Sequence, residues 1–115
     1  METETDDCVF CNIVQRSIPA QIYYEDADIL VVQDILPKAP VHLLVISKRH
    51  IPSLNATTEA DEALLGKMVF AGKKVAGERG VAQSGYRISI NIGKEGGQVI
   101  PHLHMHVLGG KQLAE

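Results

Sequence analysis

The 115-residue chain is expected to fold as an α+β domain: a five-stranded, mainly antiparallel sheet with one long and one short helix. Three observations predict this. Short apolar runs alternate with polar residues and are closed by Gly, Pro or Asp, the pattern of strands joined by turns. One stretch, from Thr58 to Arg79, carries apolar residues at helical spacing over several turns. No second long helix separates the strands, which argues against a parallel βαβ array.

The elements follow in order. Asp7 is placed to cap a short helix carrying Val9, Phe10, Ile13 and Val14, which ends by Ser17-Ile18-Pro19. "QIYYEDADILVVQD" reads as a hairpin, two strands around the acidic turn Glu25 to Asp28. Pro37 and Pro40 then interrupt regular structure. "VHLLVISK" is apolar nearly throughout, so it is the expected central strand. Thr58 with Asp61 and Glu62 makes a capping signal for the long helix, whose stripe is Leu64, Leu65, Met68, Val69, Gly72, Val75 and Ala76; Met68 and Phe70 are taken as packing residues and Gly80 as the C-cap. "YRISINI" alternates, with Ile88, Ile90 and Ile92 on one face and Arg87, Ser89 and Asn91 on the other. After the turn "GKEGGQ" comes the last strand, "PHLHMHVLGG".

Length and composition bound what such a domain does. A chain this long forms one core, so residues 1–115 are expected to be a single domain, with the acidic stretch 1–6 a flexible tail. A net charge of −3 argues against nonspecific nucleic-acid binding. No apolar run approaches the ~18–20 residues that span a bilayer, so no membrane role is expected. Two cysteines make no disulfide framework, and a cytoplasmic setting is the expectation.

The last strand carries the chemistry. Alternate residues share a face, so His102, His104 and His106 point one way while Leu103, Met105 and Val107 face a core. The outer two lie about 13 Å apart along a strand, too far for all three to bind one metal ion at about 2.1 Å. A neighbouring pair could ligate, or each imidazole has its own task. If the two last strands pair as a hairpin, Asn91 comes near the imidazoles, and Gly93, Gly96 and Gly97 between them become a plausible phosphate cradle. A neutral imidazole nitrogen can take a phosphoryl or nucleotidyl group covalently, provided its other nitrogen is held and a proton source stands near. His42, on the central strand, is placed to join this group.

Cys8 and Cys11 in "CVFC" have metal-ligand spacing, and His50 and His102 could complete a Cys₂His₂ zinc set. The alternatives are two small buried hydrophobes or a redox pair.

These motifs together resemble the histidine triad (HIT) family, His-x-His-x-His followed by apolar residues. The resemblance spans "CVFCNIVQRSIPAQIYYEDADILVVQDILPKAPVHLLVISKRHI", "LLGKMVFAGKKVA" and "GYRISINIGKEGGQVIPHLHMHVLGG", and is nearest the Hint branch of nucleotide-binding purine nucleoside phosphoramidases. It implies a HIT-like fold and a hydrolase of nucleoside phosphoramidates or acyl adenylates. Its implied catalytic residues are His104 as nucleophile, His106 at the phosphate and in proton transfer, and His42 in a relay behind the nucleophile. It implies Asn91, Gly97 and Gln98 around the phosphate, Val99 in the same nucleotide site, Asp34 at the ribose, and Phe10, Ile13, Val32 and Ile35 around the purine. It implies an AMP- or GMP-type nucleotide with an amine or acyl conjugate, a homodimer, no cofactor in the chemistry itself, and, as in several bacterial members, structural zinc on Cys8, Cys11, His50 and His102. Val99 stands where several relatives have a hydroxyl, and the chain ends at "KQLAE" without the longer tryptophan-bearing tail of animal relatives. A non-catalytic nucleotide-binding adaptor and a zinc hydrolase using a triad pair as ligands are the competing functions.

Overall fold

The structure, a computed structural model, describes residues 7–115; the expected flexible tail lies outside the described residues. Helix α1 spans Val9–Val14, strands β1 and β2 span Ile22–Glu25 and Ile29–Gln33, and β3 spans Val41–Ser47. Two 3₁₀ turns, Leu54–Ala56 and Glu59–Asp61, lead into α2, Glu62–Glu78; β4 is Tyr86–Ser89 and β5 is His104–Gly109. The sheet order is β1-β2-β3-β5-β4 with every pair antiparallel, and β3 is central and buried along its whole length. None of the helices among the described residues is long and apolar enough to cross a membrane.

Strand alternation divides the core in two. Val31, Leu43, Val45, Met105 and Val107 point to one face and pack under α2. Leu30, Val32, Leu44 and Ile46 point to the other and pack under Phe10 and Ile13 of α1. Because Leu44 pairs with His106 and Ile46 with His104, both histidines fall on the α1 face, as does His42. The in-phase reading therefore holds for His104 and His106, whereas His102 lies outside β5, which starts only at His104. Pro101 has no N–H to give a ladder, and His102 sits in the bend before the strand, its N–H on the Ile100 carbonyl at 2.8 Å.

Helix α2 lies close on the sheet at Gly72, where a Cβ would stand 2.7 Å from the Met105 terminal methyl and 3.2 Å from a Val107 methyl. Its entry is the expected capping box, Thr58 with Asp61, and Gly80 follows the helix at φ +83°. Three expectations need correction. Phe70 is 68% exposed, not packed, because it lies about 200° around the helix from buried Met68; Val69 is also largely exposed at 45%. The cap of α1 is Cys8, whose Sγ accepts the Cys11 N–H at 3.3 Å, rather than Asp7. Strand β4 stops at Ser89, so Ile90 to Ile92 leave the ladder before the glycine turn.

Candidate active site and metal cluster

β5 and β3 carry the site from below, and α1 covers it. His104 is 7% exposed. Its Nδ1 lies 2.6 Å from the His102 carbonyl oxygen. A carbonyl only accepts, so Nδ1 carries the proton and donates it, and Nε2 holds the lone pair. Burial pushes the His104 pKa down, so the ring is neutral at physiological pH. Phe10 stands edge-on to the ring at 4.8 Å between centroids. No buried side-chain nitrogen or oxygen among the described residues lacks a partner, so the unbonded Nε2 of His104 is reached from the adjoining cavity.

That cavity holds about 340 Å³, the size of small-ligand pockets. Of the expected residues, Phe10, Ile13, Val32, Asp34, Ile35, Asn91, Gly97, Val99, His104 and His106 all line it. Phe10, Ile13 and Val32 form its buried apolar end, while Ile35 and Val99 stand at its mouth, 81% and 88% exposed. Gln98 does not line it. Its amide clamps the turn instead, donating to the Pro52 and Ile100 carbonyls at 2.7 and 3.0 Å and accepting the Gly93 N–H at 3.0 Å. The glycine turn also spends N–H groups on itself, Gly97 to the Lys94 carbonyl and Gln98 to that of Gly93, which corrects the picture of an open cradle. The sequence reading missed Lys38, the one Lys or Arg in the cavity lining. Its place between Asp34 and His42, on the loop that delivers both, was the available signal.

His42 is 1% exposed and wired on both nitrogens. Its Nδ1 accepts the Lys38 N–H at 3.0 Å, so the proton is on Nε2. That Nε2 lies 3.0 Å from His106 Nδ1 and 3.2 Å from Asp34 Oδ2. Burial pushes His42 down, against the pull of Asp34. His106 thus accepts at Nδ1 and keeps its proton on Nε2; burial, then His104 and His42, bring its pKa to about 4. His42 therefore serves His106 and does not stand behind His104, because the register seats it beside Leu108, one pleat beyond His106. Asp34 Oδ1 accepts the Leu36 N–H at 2.9 Å, leaving its other oxygen on His42.

Cys8, Cys11, His50 and His102 converge, with their ligand atoms within 4.8 Å of one another. His102 Nδ1 is 3.2 Å from Cys8 Sγ, 3.5 Å from Cys11 Sγ and 3.2 Å from His50 Nδ1, and Cys11 Sγ is 3.1 Å from His50 Nδ1. A tetrahedral zinc with its usual bond lengths sets ligand atoms roughly 3.3–3.8 Å apart. The tautomer agrees: His102 Nε2 donates to the Ser47 carbonyl at 2.6 Å, which turns the Nδ1 lone pair on the cluster. Asp34, His42 and His106 also converge, but there the proton on His42 Nε2 occupies the space a metal would need. The two clusters differ in kind: one presents lone pairs, the other is already held together by a proton.

The family model described as "Scavenger mRNA decapping enzyme C-term binding" matches residues 7–114. An uncharacterized HIT-like protein of Synechococcus elongatus is 46% identical over 110 residues, 96% of each chain. The crystal structure of a HIT family hydrolase from Legionella pneumophila superposes with a TM-score of 0.90 at 43% identity, over 93% of this chain and 96% of that one. A Zn-bound histidine triad family protein from Mycobacterium smegmatis superposes at 0.80 with 34% identity, over 93% and 77%.

Proposed function

Since this chain belongs to the histidine triad family, we propose that it is a nucleotide-binding hydrolase of the Hint branch. It cleaves purine nucleoside phosphoramidates or acyl adenylates through a nucleotidyl-histidine intermediate on His104. The observation that carries this reading is the 2.6 Å bond from His104 Nδ1 to the His102 carbonyl, which leaves a neutral Nε2 lone pair open to the cavity. Likeness to HIT family hydrolases supports the reaction class.

The apolar end of the cavity takes the purine between Phe10, Ile13 and Val32, and Lys38 offsets the phosphate charge. Asp34 serves the ribose side, and Asn91, Gly97 and Val99 border the phosphate. Nε2 of His104 attacks the α-phosphorus; the Nε2–P bond forms as the P–N bond breaks. With the anionic substrate bound, the His42–His106 pair carries one extra proton from solvent. The departing amine takes the Nε2 proton of His106 and His42 hands a proton on to His106 Nδ1, which leaves both rings neutral. Water then attacks phosphorus, breaks the Nε2–P bond and gives the pair its extra proton back. An acyl leaving group departs as carboxylate and needs no proton. The zinc-hydrolase alternative lacks support, since the triad pair His104 and His106 is committed to protons.

Cys8, Cys11, His50 and His102 are the proposed zinc ligands. The metal supplies a cross-link between α1 and the sheet and takes no part in the bond changes. His102 is then shared, its ring toward the cluster and its carbonyl toward the nucleophile. A homodimer is supported by the exposed Val69 and Phe70 on α2 and by the unpaired edge of β4, features that a partner would cover.

The test is single-turnover reaction with adenosine phosphoramidate and intact-mass detection of an AMP adduct on His104. His104→Ala should lose turnover while AMP still binds. Turnover that survives the substitution refutes the assignment, and native binding without turnover favours the adaptor.

A further inference from the structure

The two thiols of the Cys/His cluster take no part in the chemistry at phosphorus, yet a cavity of about 630 Å³ opens onto one of them. Cys8 and His50 line it beside Asp7, Pro52 and Pro101. Cys11 and His102 stand behind, 5% and 0% exposed. Cysteines three positions apart at a helix start bring their Cα atoms to about 5 Å, inside the span of roughly 4.4–6.8 Å that a disulfide bridges. Their sulfurs lie within 4.8 Å of each other and are not joined. The Cys11 N–H donates to Cys8 Sγ at 3.3 Å. His102 Nδ1, 3.2 Å from the same sulfur, holds a lone pair, because its Nε2 gives its proton to the Ser47 carbonyl. A thiol with a base beside it and an opening in front of it is a nucleophile. A second thiol behind it converts the first oxidation product into a disulfide.

We propose that Cys8 and Cys11 are a peroxide-reactive dithiol that closes to a disulfide when no metal engages the sulfurs. Hydrogen peroxide enters through the cavity. Cys8 Sγ attacks one oxygen; the S–O bond forms as the O–O bond breaks, and the departing hydroxide leaves as water with the proton that His102 Nδ1 took from Cys8. Cys11 Sγ then attacks Cys8 Sγ; the S–S bond forms as the S–O bond breaks, and the hydroxyl leaves as a second water with the Cys11 proton. The two thiols lose two electrons and the peroxide gains them. Closure withdraws the Cys8 thiol from His102 and removes both thiolates as ligands, so α1 loses that tie to the sheet. Phe10 and Ile13, on α1, line the first cavity, so the disulfide form holds a nucleotide less tightly. This last consequence rests on the nucleotide reading above; the closure does not.

The experiment treats the full chain, stripped of metal by a chelator, with one equivalent of hydrogen peroxide. Intact mass should fall by about 2 Da, with the change mapped to the peptide holding Cys8 and Cys11, and dithiothreitol should reverse it. In Cys11→Ser the oxidation should stop at a sulfenic acid that dimedone traps on Cys8. Amide exchange over Val9–Val14 should quicken about tenfold in the disulfide form, the effect of losing one hydrogen-bonded tie, while exchange in α2 is unchanged. AMP affinity by calorimetry should fall by a similar factor. Both thiols surviving peroxide, or Cys11→Ser without an adduct on Cys8, overturns the dithiol. A disulfide that leaves exchange in α1 unchanged overturns its coupling to the fold. Quickened exchange with the same AMP affinity, or with no AMP binding in either form, refutes the nucleotide reading and upholds the dithiol.

Discussion

Replacing His42 by asparagine separates the structural from the chemical work of the relay. The asparagine oxygen can stand where Nδ1 accepts the Lys38 N–H, but nothing reaches the place of Nε2. Asp34 Oδ2 and His106 Nδ1 then lose the donor that stood at 3.2 and 3.0 Å. Water partly repairs Asp34, whose side chain is 19% exposed. The stability cost is therefore about 1–3 kcal/mol, a fall in Tm of roughly 5–15 °C for a domain of this size. The rate cost is that of a missing acid–base group, about 10²–10⁴-fold, or roughly 3–5 kcal/mol on the barrier. His42 is also one of the groups depressing His106, so the His106 pKa rises from about 4 and the acid limb of the rate profile moves to higher pH. His42→Gln puts an amide donor near the lost Nε2 without a transferable proton, so it should recover stability and leave the rate low. The assay is single-turnover AMP release across pH 4–8 beside thermal melts. Turnover of His42→Asn within threefold of native, or full recovery of rate in His42→Gln, refutes the relay.

Three further outcomes are expected. Cys11→Ser should lower bound zinc from one per chain to well below stoichiometry by elemental analysis, and lower Tm at once, since Phe10 and Ile13 share its helix; full zinc retention contradicts the ligand set. Phe70→Glu should shift sedimentation from dimer toward monomer while far-ultraviolet circular dichroism is unchanged, because the residue lies outside the monomer core. His106 has its folded pKa lowered to about 4 from an ordinary value of 6.5, so the unfolded chain binds more protons between those values. Its contribution to stability is complete above pH 6.5 and is lost as pH falls toward 4; urea midpoints in the His106→Gln variant should show a shallower decline over that window.

Period-two alternation was enough to place His104 and His106 on one face and Met105 and Val107 on the other, since a pleat leaves no third choice. The same rule assigned β3 to the middle from its unbroken apolar run. What failed depended on contacts distant in sequence. Which histidine His42 serves is decided by the register of β3 on β5, 64 positions apart. The role of Gln98 is decided by the Pro52 carbonyl, 46 positions away. Phe70 was misplaced because hydrophobicity alone does not say which side of a helix meets the sheet. The tautomers were invisible in one dimension, as each follows from an oxygen or N–H supplied by another segment.

The bend at His102 gives the chain an unusual economy of parts. One residue faces two systems, ring one way and main chain the other, and only Leu103 separates it from the reactive imidazole. Lengthening that spacing by a single amino acid would uncouple them together, so neither is free to drift through mutation while the other stays put. Descendants of this sequence that scatter the Cys/His cluster must first find a substitute for the grip on that carbonyl.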